Sequence, residues 1–322
     1  MRQHPTSQPT VDEAASIIRA GGAVAFPTET VYGLGADAFN EAAVERVFAL
    51  KGRPAHNPLI VHVADEAMAR HAASAWSDRA ARLARAFWPG PRTIVVPKAQ
   101  RIPSAVTAFG ATVAVRCPDH PLALALIRAV GGPIVGPSAN PSGAISPTTA
   151  EHVRAAFVDR VPVLDGGPCA IGIESTVVTV AERPARVLRI GAVSAEALGV
   201  ALGEDVIIGA LPAAPGALPS PGLLASHYAP TAHTELVDAR DLAARAIPPG
   251  AVILALEAPL PDSPSIIRMP REAGAYATRL YAALREADAR TPTVILIERP
   301  AGESWLWSAI RDRLTRACAP RE

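Results

Sequence analysis

The sequence predicts an α/β protein with two domains: a twisted mixed sheet with flanking helices, followed by a small α/β domain with parallel strands. Three observations predict this arrangement. A length of 322 residues is typical of about two domains. Apolar strands and capped helices mix over 11–190 without the strict βαβ rhythm of a doubly wound sheet. Prolines interrupt any regular element over 211–230, which indicates a linker between the two domains.

Caps and apolar patterns predict the elements of the first domain. Thr10-Val11-Asp12-Glu13 has the form of a capping box and begins a short helix that ends at Gly21-Gly22. The apolar residues 23–26 predict a buried strand, which leads into a loop over 27–35. The remaining predicted elements are helix 41–50, strand 59–63, helices 66–74 and 78–88, strands 93–96 and 112–116, helix 121–130, strand 134–135, a helix opened by the capping box 148–151, and strands 161–164, 176–180 and 186–190.

The second domain is predicted from a simple alternation of strands and helices. Such an alternation is typical of a parallel sheet with helical connections. The predicted elements are strand 234–237, a helix, strand 251–256, helix 273–289, strand 294–297 and helix 305–317. We therefore place the domain boundaries at 1–205 and 233–322, with 206–232 as the linker.

Composition and charge exclude several classes of protein. With 49% hydrophobic and 19% charged residues, the chain has a globular composition. Its net charge of +1 gives no overall field for nucleic acid or an anionic membrane, so any basic site is local. Only Lys51 and Lys98 are lysines, which makes each a candidate for a role that arginine cannot fill.

Cysteine usage and hydropathy indicate the compartment. Cys117, Cys169 and Cys318 are far apart and odd in number, which favours reduced thiols over a disulfide framework. No apolar run approaches the roughly 18 residues that span a bilayer. We expect a soluble, cytoplasmic protein without a membrane partner.

Familiar catalytic motifs are absent, and polar clusters at strand ends remain. The sequence has no phosphate-binding P-loop, no G-x-S-x-G elbow, no H-E-x-x-H and no Rossmann glycine motif after the first strand. Lys51-Gly52-Arg53 could grip a triphosphate, or could simply complement a helix dipole. His62, in an apolar strand, points either to a site or into a satisfied buried hydrogen bond.

Further polar residues lie at strand ends and in loops. Arg116 ends an apolar strand, where it could bind a carboxylate or extend over the sheet edge, and Thr112 shares its face. The loop 136–143 could hold phosphate or ribose oxygens near a helix N-terminus, or could be a plain turn. Tyr228 lies inside the predicted linker, which could fold back as a lid.

Taken together, these segments resemble, in order and spacing, the motifs of the YrdC-type threonylcarbamoyl-AMP synthases. The resemblance covers about the first 200 residues, and many separate motifs agree in sequence order. The motifs are FPTETVYGLG (26–35), KGRPAHNPLIVHV (51–63), FWPGPRT (87–93), TVAVRCPDHP (112–121), GPSANPSG (136–143), SPTTAEHV (146–153), LDGGP with GIESTVV (164–178) and VLRIG (187–191). SPGLLASHYAP (220–230) and the second domain resemble the longer, two-domain form of the family.

The resemblance implies a fold and a reaction. The fold would be a YrdC-like catalytic domain with a twisted mixed sheet and flanking helices, plus a small C-terminal Rossmann-like α/β domain. The reaction would join L-threonine, bicarbonate and ATP into threonylcarbamoyl-AMP and pyrophosphate, with Mg²⁺ on the ATP phosphates. The product would pass to a tRNA threonylcarbamoyl transferase complex for threonylcarbamoyladenosine modification of tRNA, and direct tRNA binding stays open.

The resemblance also implies site residues, among which Lys51, Arg53 and Arg116 would be catalytic. Threonine would be bound by Thr30, His62, Arg116, Ser138 and Ser175, with its carboxylate on Arg116. ATP would be bound by Lys51, Arg53, Asn57, Thr112, Asn140, Ser146, Thr148, Arg189 and Tyr228.

Three residues depart from the family pattern. Arg92 stands where the family usually has an aliphatic residue, Ser226 precedes His227 where many members carry Lys or Arg, and Ile190 replaces a proline. These changes put in doubt a phosphate role for that part of the linker and the placement of Arg189.

Two other functions compete with this one. An RNA-binding protein could use the same cationic cleft, although the near-neutral charge and the lack of aromatic stacking motifs disfavour it. A carbamoyl-transfer enzyme of hydrogenase maturation is a further alternative, which the missing acylphosphatase-like and zinc-finger segments disfavour.

Overall fold

Two sheets organise the protein, whose computed structural model describes residues 8–158, 160–209 and 226–320. The first is a nine-stranded mixed sheet with the order β1-β2-β6-β3-β5-β4-β7-β8-β9. Its strands are β1 (Val24–Phe26), β2 (Gly33–Asp37), β3 (Ile60–His62), β4 (Arg92–Pro97), β5 (Thr112–Arg116), β6 (Ile134–Val135), β7 (Thr176–Thr179), β8 (Ala185–Arg189) and β9 (Val206–Ile208). The second is a four-stranded parallel sheet, ordered β10-β13-β11-β12, with β10 (Thr234–Val237), β11 (Val252–Ala255), β12 (Ile266–Arg268) and β13 (Ile295–Glu298).

Helices cover these sheets, and most of them begin at a side-chain cap. The predicted capping box 148–151 is wrong, because Thr149, one residue later than predicted, caps the helix that starts at Ala150 and accepts from the His152 amide. The first-sheet helices are α1 (Val11–Arg19), α2 (Glu41–Lys51), α3 (Glu66–Ala72), α4 (Asp78–Phe87), α5 (Pro121–Val130), α6 (Ala150–Phe157) and α7 (Ala195–Leu202); a 3₁₀ turn covers Ser104–Thr107. The second-sheet helices are α8 (Ala239–Ala244), α9 (Ala273–Asp288) and α10 (Trp305–Ala317). Thr10 forms the predicted capping box with Glu13, and Gly52 ends α2 in the left-handed conformation. The predicted fold class is confirmed.

Strand pairing brings the polar strand ends together. In the parallel pair β3 and β5, His62 lies beside Arg116, and in the antiparallel pair β4 and β5, Thr93 lies beside Arg116. The parallel pair β4 and β7 then places the start of β7 next to Arg92 and Thr93. Paired residues point to the same face of a sheet, so these side chains gather on one face near one sheet edge.

The two sheets share part of a hydrophobic core. One cluster of buried residues lies under β1 to β8 and their helices, and includes Leu34, Val61 and Val115. Another cluster joins Ile173 of the first domain to Tyr281 of the second. This shared core packs α9 and α10 directly against the start of β7.

Several predictions about elements are wrong. The segment 27–35, predicted as a loop, contains the first three residues of β2, because Gly33 and Gly35 hide the strand pattern. Both glycines are needed there, since a Cβ on Gly33 would lie 2.8 Å from the Phe26 ring. The predicted strand 161–164 is only an isolated bridge between Val163 and Ala25.

Other elements were not predicted at all. They are the 3₁₀ turn, α7, β9 and β12. β9 lies in the range predicted as linker, 206–232, and pairs in parallel with β8. Within that range, 210–225 falls outside the described residues. The division into 1–205, 206–232 and 233–322 stays a prediction.

The close approach of Gly191 to the start of β7 gives a stability prediction. A Cβ on Gly191 would lie 2.3 Å from the Thr176 nitrogen and 2.5 Å from the Ser175 carbonyl carbon. Because these are backbone atoms, they must shift, and Gly191→Ala should lower the free energy of unfolding by about 1–3 kcal/mol. Gly132→Ala is the matched control, because its Cβ meets nothing within 4 Å. Urea unfolding of both variants measures this. An unchanged free energy of unfolding in Gly191→Ala would contradict the close packing of Gly191 against the start of β7.

Candidate functional site

A partly open cavity lies where the polar strand ends meet. Its walls come from the loop before β2, the ends of β3 and β5, the start of β7, Arg189 at the end of β8, and residues 227–228. The predicted site residues that line it are Thr30, Arg53, His62, Arg116, Ser138, Ser175, Arg189 and Tyr228. The fold therefore brings together eight of the predicted residues, which are far apart in the sequence.

Arg116 is held rigidly at the floor of this cavity. Its Nη1 donates to Thr30 Oγ1 at 2.9 Å, and its Nε donates to the Gly90 carbonyl at 3.3 Å. Its Nη2 lies 2.7 Å from Glu29 Oε2, in an ion pair whose two side chains are 4% and 7% exposed. Glu29 was not predicted, although it is the one acidic residue of the segment 27–35. A neutral, buried pair of this kind can accept a zwitterionic ligand without adding net charge.

Ser175 and Arg189 form a second polar group beside Arg116. The Ser175 hydroxyl lies 2.8 Å from Thr93 Oγ1 and accepts a hydrogen bond from Arg189 Nη2 at 3.1 Å. Arg189 also donates to the Ser175 carbonyl from Nε and Nη2. These bonds fix the guanidinium at the cavity wall, so the departure at Ile190 does not displace it.

His62 lies in the cavity as a neutral imidazole. Its ring packs edge-on against Phe26, with 5.6 Å between ring centroids, and a Cβ on Gly136 would lie 2.5 Å from its Nδ1. Burial, together with the positive charge of Arg116, lowers its pKa from 6.5 to about 3. Among the described residues, its Nδ1 has no hydrogen-bond partner, which leaves it available to a ligand.

The predicted cation cluster at the end of α2 divides into two parts. Arg53 lines the cavity and donates to both oxygens of Asn57, at 2.9 Å to the carbonyl and 2.6 Å to Oδ1. Lys51 instead donates from Nζ to the carbonyls of Ser138 and Asn140, at 2.6 and 2.5 Å. Burial and nearby Arg53 lower the pKa of Lys51 well below its ordinary value. Lys51 therefore ties α2 to the loop 136–143 and does not itself line the cavity.

The other predicted ATP residues lie behind the cavity wall or away from it. Asn140 donates to the carbonyls of Pro141 and Ala144, and its Oδ1 has no partner among the described residues. Ser146 donates to Glu174, at 2.7 Å, and Thr148 contacts His152. Thr112 lies at the start of β5, at the opposite end from Arg116, and like Asn57 does not line the cavity.

Tyr228 closes one side of the cavity. It is 1% exposed, has a positive φ of 65°, and its ring lies 4.0 Å from the His227 ring, centroid to centroid. Burial raises the pKa of Tyr228 to about 12, with the charge of Glu174 acting in the same direction. The Tyr228 hydroxyl and His227 Nδ1 have no hydrogen-bond partners among the described residues. Two more unpaired polar groups therefore face the predicted ligand region.

The three departures from the family pattern lie outside the cavity lining. Arg92 is fully buried, donates to the Leu83 carbonyl and stacks over Phe87, 4.1 Å from its centroid. Ser226 donates to the Ala319 carbonyl at 3.2 Å. Arg92 thus serves packing between β4 and α4.

Two features are absent from the part of the chain that the structure describes: a cluster of potential metal ligands and a helix that could span a membrane. Over 8–158, 160–209 and 226–320, three or more His, Cys, Asp or Glu side chains nowhere gather in a way that could hold a metal ion. None of the helices in these ranges is long and apolar enough to cross a membrane. The cavity is instead lined by guanidinium, hydroxyl and imidazole groups, which suit anionic ligands.

Comparison with known proteins gives two family matches. Residues 16–191 match the Sua5, YciO and YrdC family model, described as telomere recombination. Residues 193–319 match the model described as the threonylcarbamoyl-AMP synthase C-terminal domain.

Individual relatives match along most of the chain. The threonylcarbamoyl-AMP synthase of Pyrococcus abyssi is 38% identical over 96% of this chain and 94% of the relative. That of Bacillus subtilis is 45% identical over 70% of this chain and 66% of the relative.

Two solved structures of the Pyrococcus abyssi protein also match this chain. A variant of Pyrococcus abyssi Sua5, with a histidine and the following tyrosine changed to alanine, matches with a TM-score of 0.87, 37% identity and coverage of 96% and 92% of the two chains. The crystal structure of the same protein complexed with L-threonine matches with a TM-score of 0.85 at 37% identity, covering 96% and 94%.

The neutral His62 gives a pH prediction. Because its pKa is about 3 in the folded chain and about 6.5 in an unfolded chain, only the unfolded chain binds this proton between those values. Stability is then fully present above pH 6.5 and falls as the pH drops, by about 1.4 kcal/mol per pH unit from this group.

His62→Gln should remove that share of the pH dependence. Urea unfolding of both proteins between pH 7.5 and 4.5 measures it, and the values at pH 7.5 report the packing cost alone. Equal slopes in the two proteins would contradict a neutral, buried His62.

Proposed function

The chain belongs to the Sua5 family of threonylcarbamoyl-AMP synthases, and on that premise we propose how its residues join L-threonine, bicarbonate and ATP. It is a nucleotidyltransferase-type enzyme whose product serves the threonylcarbamoyladenosine modification of tRNA. One observation supports the proposal most strongly. Three arginines, Arg53, Arg116 and Arg189, converge on one buried cavity, beside polar groups that lack partners among the described residues. Such groups are costly unless a ligand satisfies them.

L-Threonine is proposed to bind at Arg116. Its carboxylate would accept hydrogen bonds from the N–H groups of Arg116 Nη1 and Nη2 that the contacts with Thr30 and Glu29 leave over. Ser138, Ser175 and His62 line the same part of the cavity and would meet the amine and hydroxyl. The L-threonine complex of the related Pyrococcus abyssi protein supports a threonine site in this fold.

ATP is proposed to lie beside threonine, along Arg53 and Arg189. The described structure gives Lys51 a direct role in fixing the loop 136–143, and we propose that this loop then presents Asn140 to the nucleotide. Thr112, Asn57, Ser146 and Thr148 remain proposed ATP residues at the edges of this region.

Mg²⁺ is proposed to arrive on the ATP phosphates. The only carboxylate among the described lining residues is Glu174, and its two oxygens already accept hydrogen bonds from Ser146, Tyr281 and Arg313. This donor set does not fit a protein-held metal ion. When bound, Mg²⁺ would neutralise charge on the pyrophosphate leaving group.

The proposed chemistry needs no protein nucleophile. The threonine amine and bicarbonate give a carbamate and water; a carbamate oxygen then attacks the α-phosphorus, and pyrophosphate leaves. This route requires positioning, charge neutralisation and exclusion of water from a labile carbamate. Arg116 would position threonine, Arg53 and Arg189 would neutralise the phosphates, and Tyr228 would exclude water.

The linker is proposed to act as a lid through Tyr228. His227-Tyr228 is the only His-Tyr pair in the sequence. In the related Pyrococcus abyssi protein, a variant with an adjacent histidine and tyrosine changed to alanine has been solved, which makes the His227-Tyr228 pair a candidate for a functional role here. We further propose that the chain works in the cytoplasm and hands its product to a tRNA threonylcarbamoyl transferase complex.

RNA binding in the same cleft is less well supported. The aromatic ring at the cavity, that of Tyr228, is buried and stacks on Tyr281, with 5.5 Å between centroids. It therefore offers no open platform for an unstacked base.

The reaction can be tested with purified protein, ATP, Mg²⁺, L-threonine and labelled bicarbonate. We expect label in an adenylate and pyrophosphate release that depends on threonine. Salt-sensitive RNA binding without threonine-dependent ATP turnover would favour the RNA alternative and refute the proposal.

The Arg116 assignment gives a specific kinetic prediction. Arg116→Ala should raise the KM for threonine by roughly 10- to 100-fold and change the KM for ATP much less, because a charge-assisted bond to the carboxylate is lost. Arg46→Ala is the matched control, since Arg46 is exposed on α2. Equal increases in both KM values would contradict the carboxylate assignment.

A further inference from the structure

The carboxylate of Glu174 is held by side chains of the C-terminal sheet domain. Its Oε2 accepts hydrogen bonds from Tyr281 on α9 and from Arg313 Nε on α10, each at 2.9 Å. Its Oε1 accepts one from the Ser146 hydroxyl, at 2.7 Å. Among the described residues, Glu174 is the only acidic one that lines the cavity. It immediately precedes Ser175, so whatever fixes Glu174 also fixes this part of the wall.

Arg313 lies entirely in the interior. It is 0% exposed, pairs with Glu174 through Nε, and contacts the Glu174 carbonyl from Nη2 at 3.4 Å. Its Nη1 donates to Asp312 at 2.8 Å. Two carboxylates therefore satisfy a guanidinium that would otherwise be costly to bury.

The same two C-terminal side chains also support Tyr228. Tyr281 stacks on Tyr228, with 5.5 Å between centroids and 28° between planes, and the Arg313 guanidinium carbon lies 5.6 Å from the Tyr228 centroid. The His227 amide donates to the Arg316 carbonyl at 3.1 Å. Residues 227–228 thus rest on α9 and α10.

The two domains make a tight and extensive contact around Glu174 and Arg313. The Trp305 indole donates to the Gly191 carbonyl at 2.8 Å, and Thr278 Oγ1 donates to the Ala170 carbonyl at 2.9 Å. A Cβ on Gly172 would lie 2.5 Å from the Ala277 carbonyl oxygen. The position of α10 against the start of β7 is therefore well defined.

We infer that Arg313 is a positioning residue for the reaction: from the C-terminal domain it neutralises Glu174 and, through Glu174, orients Ser146 and the wall that faces ATP. The inference rests on the proposed function of the cavity. It gives the C-terminal domain a part in the chemistry, because α10 supplies the countercharge of Glu174, which lines the cavity.

The physical reason is the charge of Glu174. An unneutralised carboxylate in this wall would repel the triphosphate of ATP. Paired with Arg313, it adds no net charge and acts only as an acceptor, so the Ser146 hydroxyl must donate to it. The Ser146 proton is thus committed to Glu174, which fixes the orientation of this hydroxyl behind the cavity wall.

Arg313 also keeps Glu174 ionised. Burial raises the pKa of Glu174, but Arg313, Arg189 and the Ser146 hydroxyl lower it by more, so that the net pKa is about 2. The other titratable groups that face Glu174 are His227, Tyr228 and Tyr281. Without Arg313, burial is opposed by fewer groups, and Glu174 should gain a proton at a higher pH.

The test is a double-mutant cycle on this pair. Arg313→Gln should weaken ATP binding, measured by calorimetry, and raise the KM for ATP, each by at least roughly tenfold, because it leaves Glu174 without its countercharge. Because protonation of Glu174 removes the repelling charge, ATP binding by Arg313→Gln should also improve as the pH falls through the raised pKa of Glu174, a change that the wild-type protein should not show. Glu174→Gln should also weaken ATP binding, since it leaves the buried Arg313 guanidinium without the Glu174 carboxylate.

The double variant Glu174→Gln/Arg313→Gln separates positioning from plain packing. Because the neutral pair restores charge balance, it should bind ATP better than Arg313→Gln, and its ATP binding should not improve at low pH. The matched control is Glu286→Gln/Arg290→Gln, which removes a half-exposed ion pair of 2.5 Å on α9 and the adjoining turn. That control should keep the wild-type affinity for ATP and the wild-type KM for ATP.

The outcomes are distinct. Normal ATP binding in Arg313→Gln, or a double variant no better than the worse single one, would overturn the inference. If Arg313→Gln fails to fold, Glu174→Gln and the double variant decide the question by the same comparison. Failure of the proposed function would show differently, as wild-type protein that releases no pyrophosphate with threonine and bicarbonate.

Discussion

The site depends on the balance of buried charge. Arg53, Arg116 and Arg189 face one cavity with little access to water, where cations are stable only if carboxylates, carbonyls or ligands satisfy them. The protein supplies two carboxylates, Glu29 against Arg116 and Glu174 against Arg313. The surplus positive charge is left for anionic substrates. A carboxylate and a triphosphate are the groups that this surplus suits.

This balance also explains why both domains contribute to one site. The nine-stranded sheet positions the arginines through strand pairing, as with His62 beside Arg116. The C-terminal domain reaches the same cavity from behind, through Tyr281 and Arg313. Residues 227–228 lie between the two, so the lid, the wall and the countercharge form one packed unit.

The sequence predicted the fold class, most elements and eight of the residues that line the cavity, because local caps, apolar runs and strand ends carry those signals. It missed β2, whose glycines are required by the Phe26 ring rather than by a turn. It also missed Arg313, which is 139 residues from Glu174 and is one of 29 arginines with no local mark. Lys51 binds two carbonyls, a contact that only the folded loop reveals, and its place at the phosphates stays a prediction.

The most direct test of the whole account is a crystal structure of the protein with L-threonine and a non-hydrolysable ATP analogue. The threonine carboxylate should lie within hydrogen-bond distance of Arg116, the phosphates should lie along Arg53 and Arg189, and Glu174 should still be paired with Arg313. A triphosphate bound away from these arginines, or a carboxylate bound elsewhere, would contradict it.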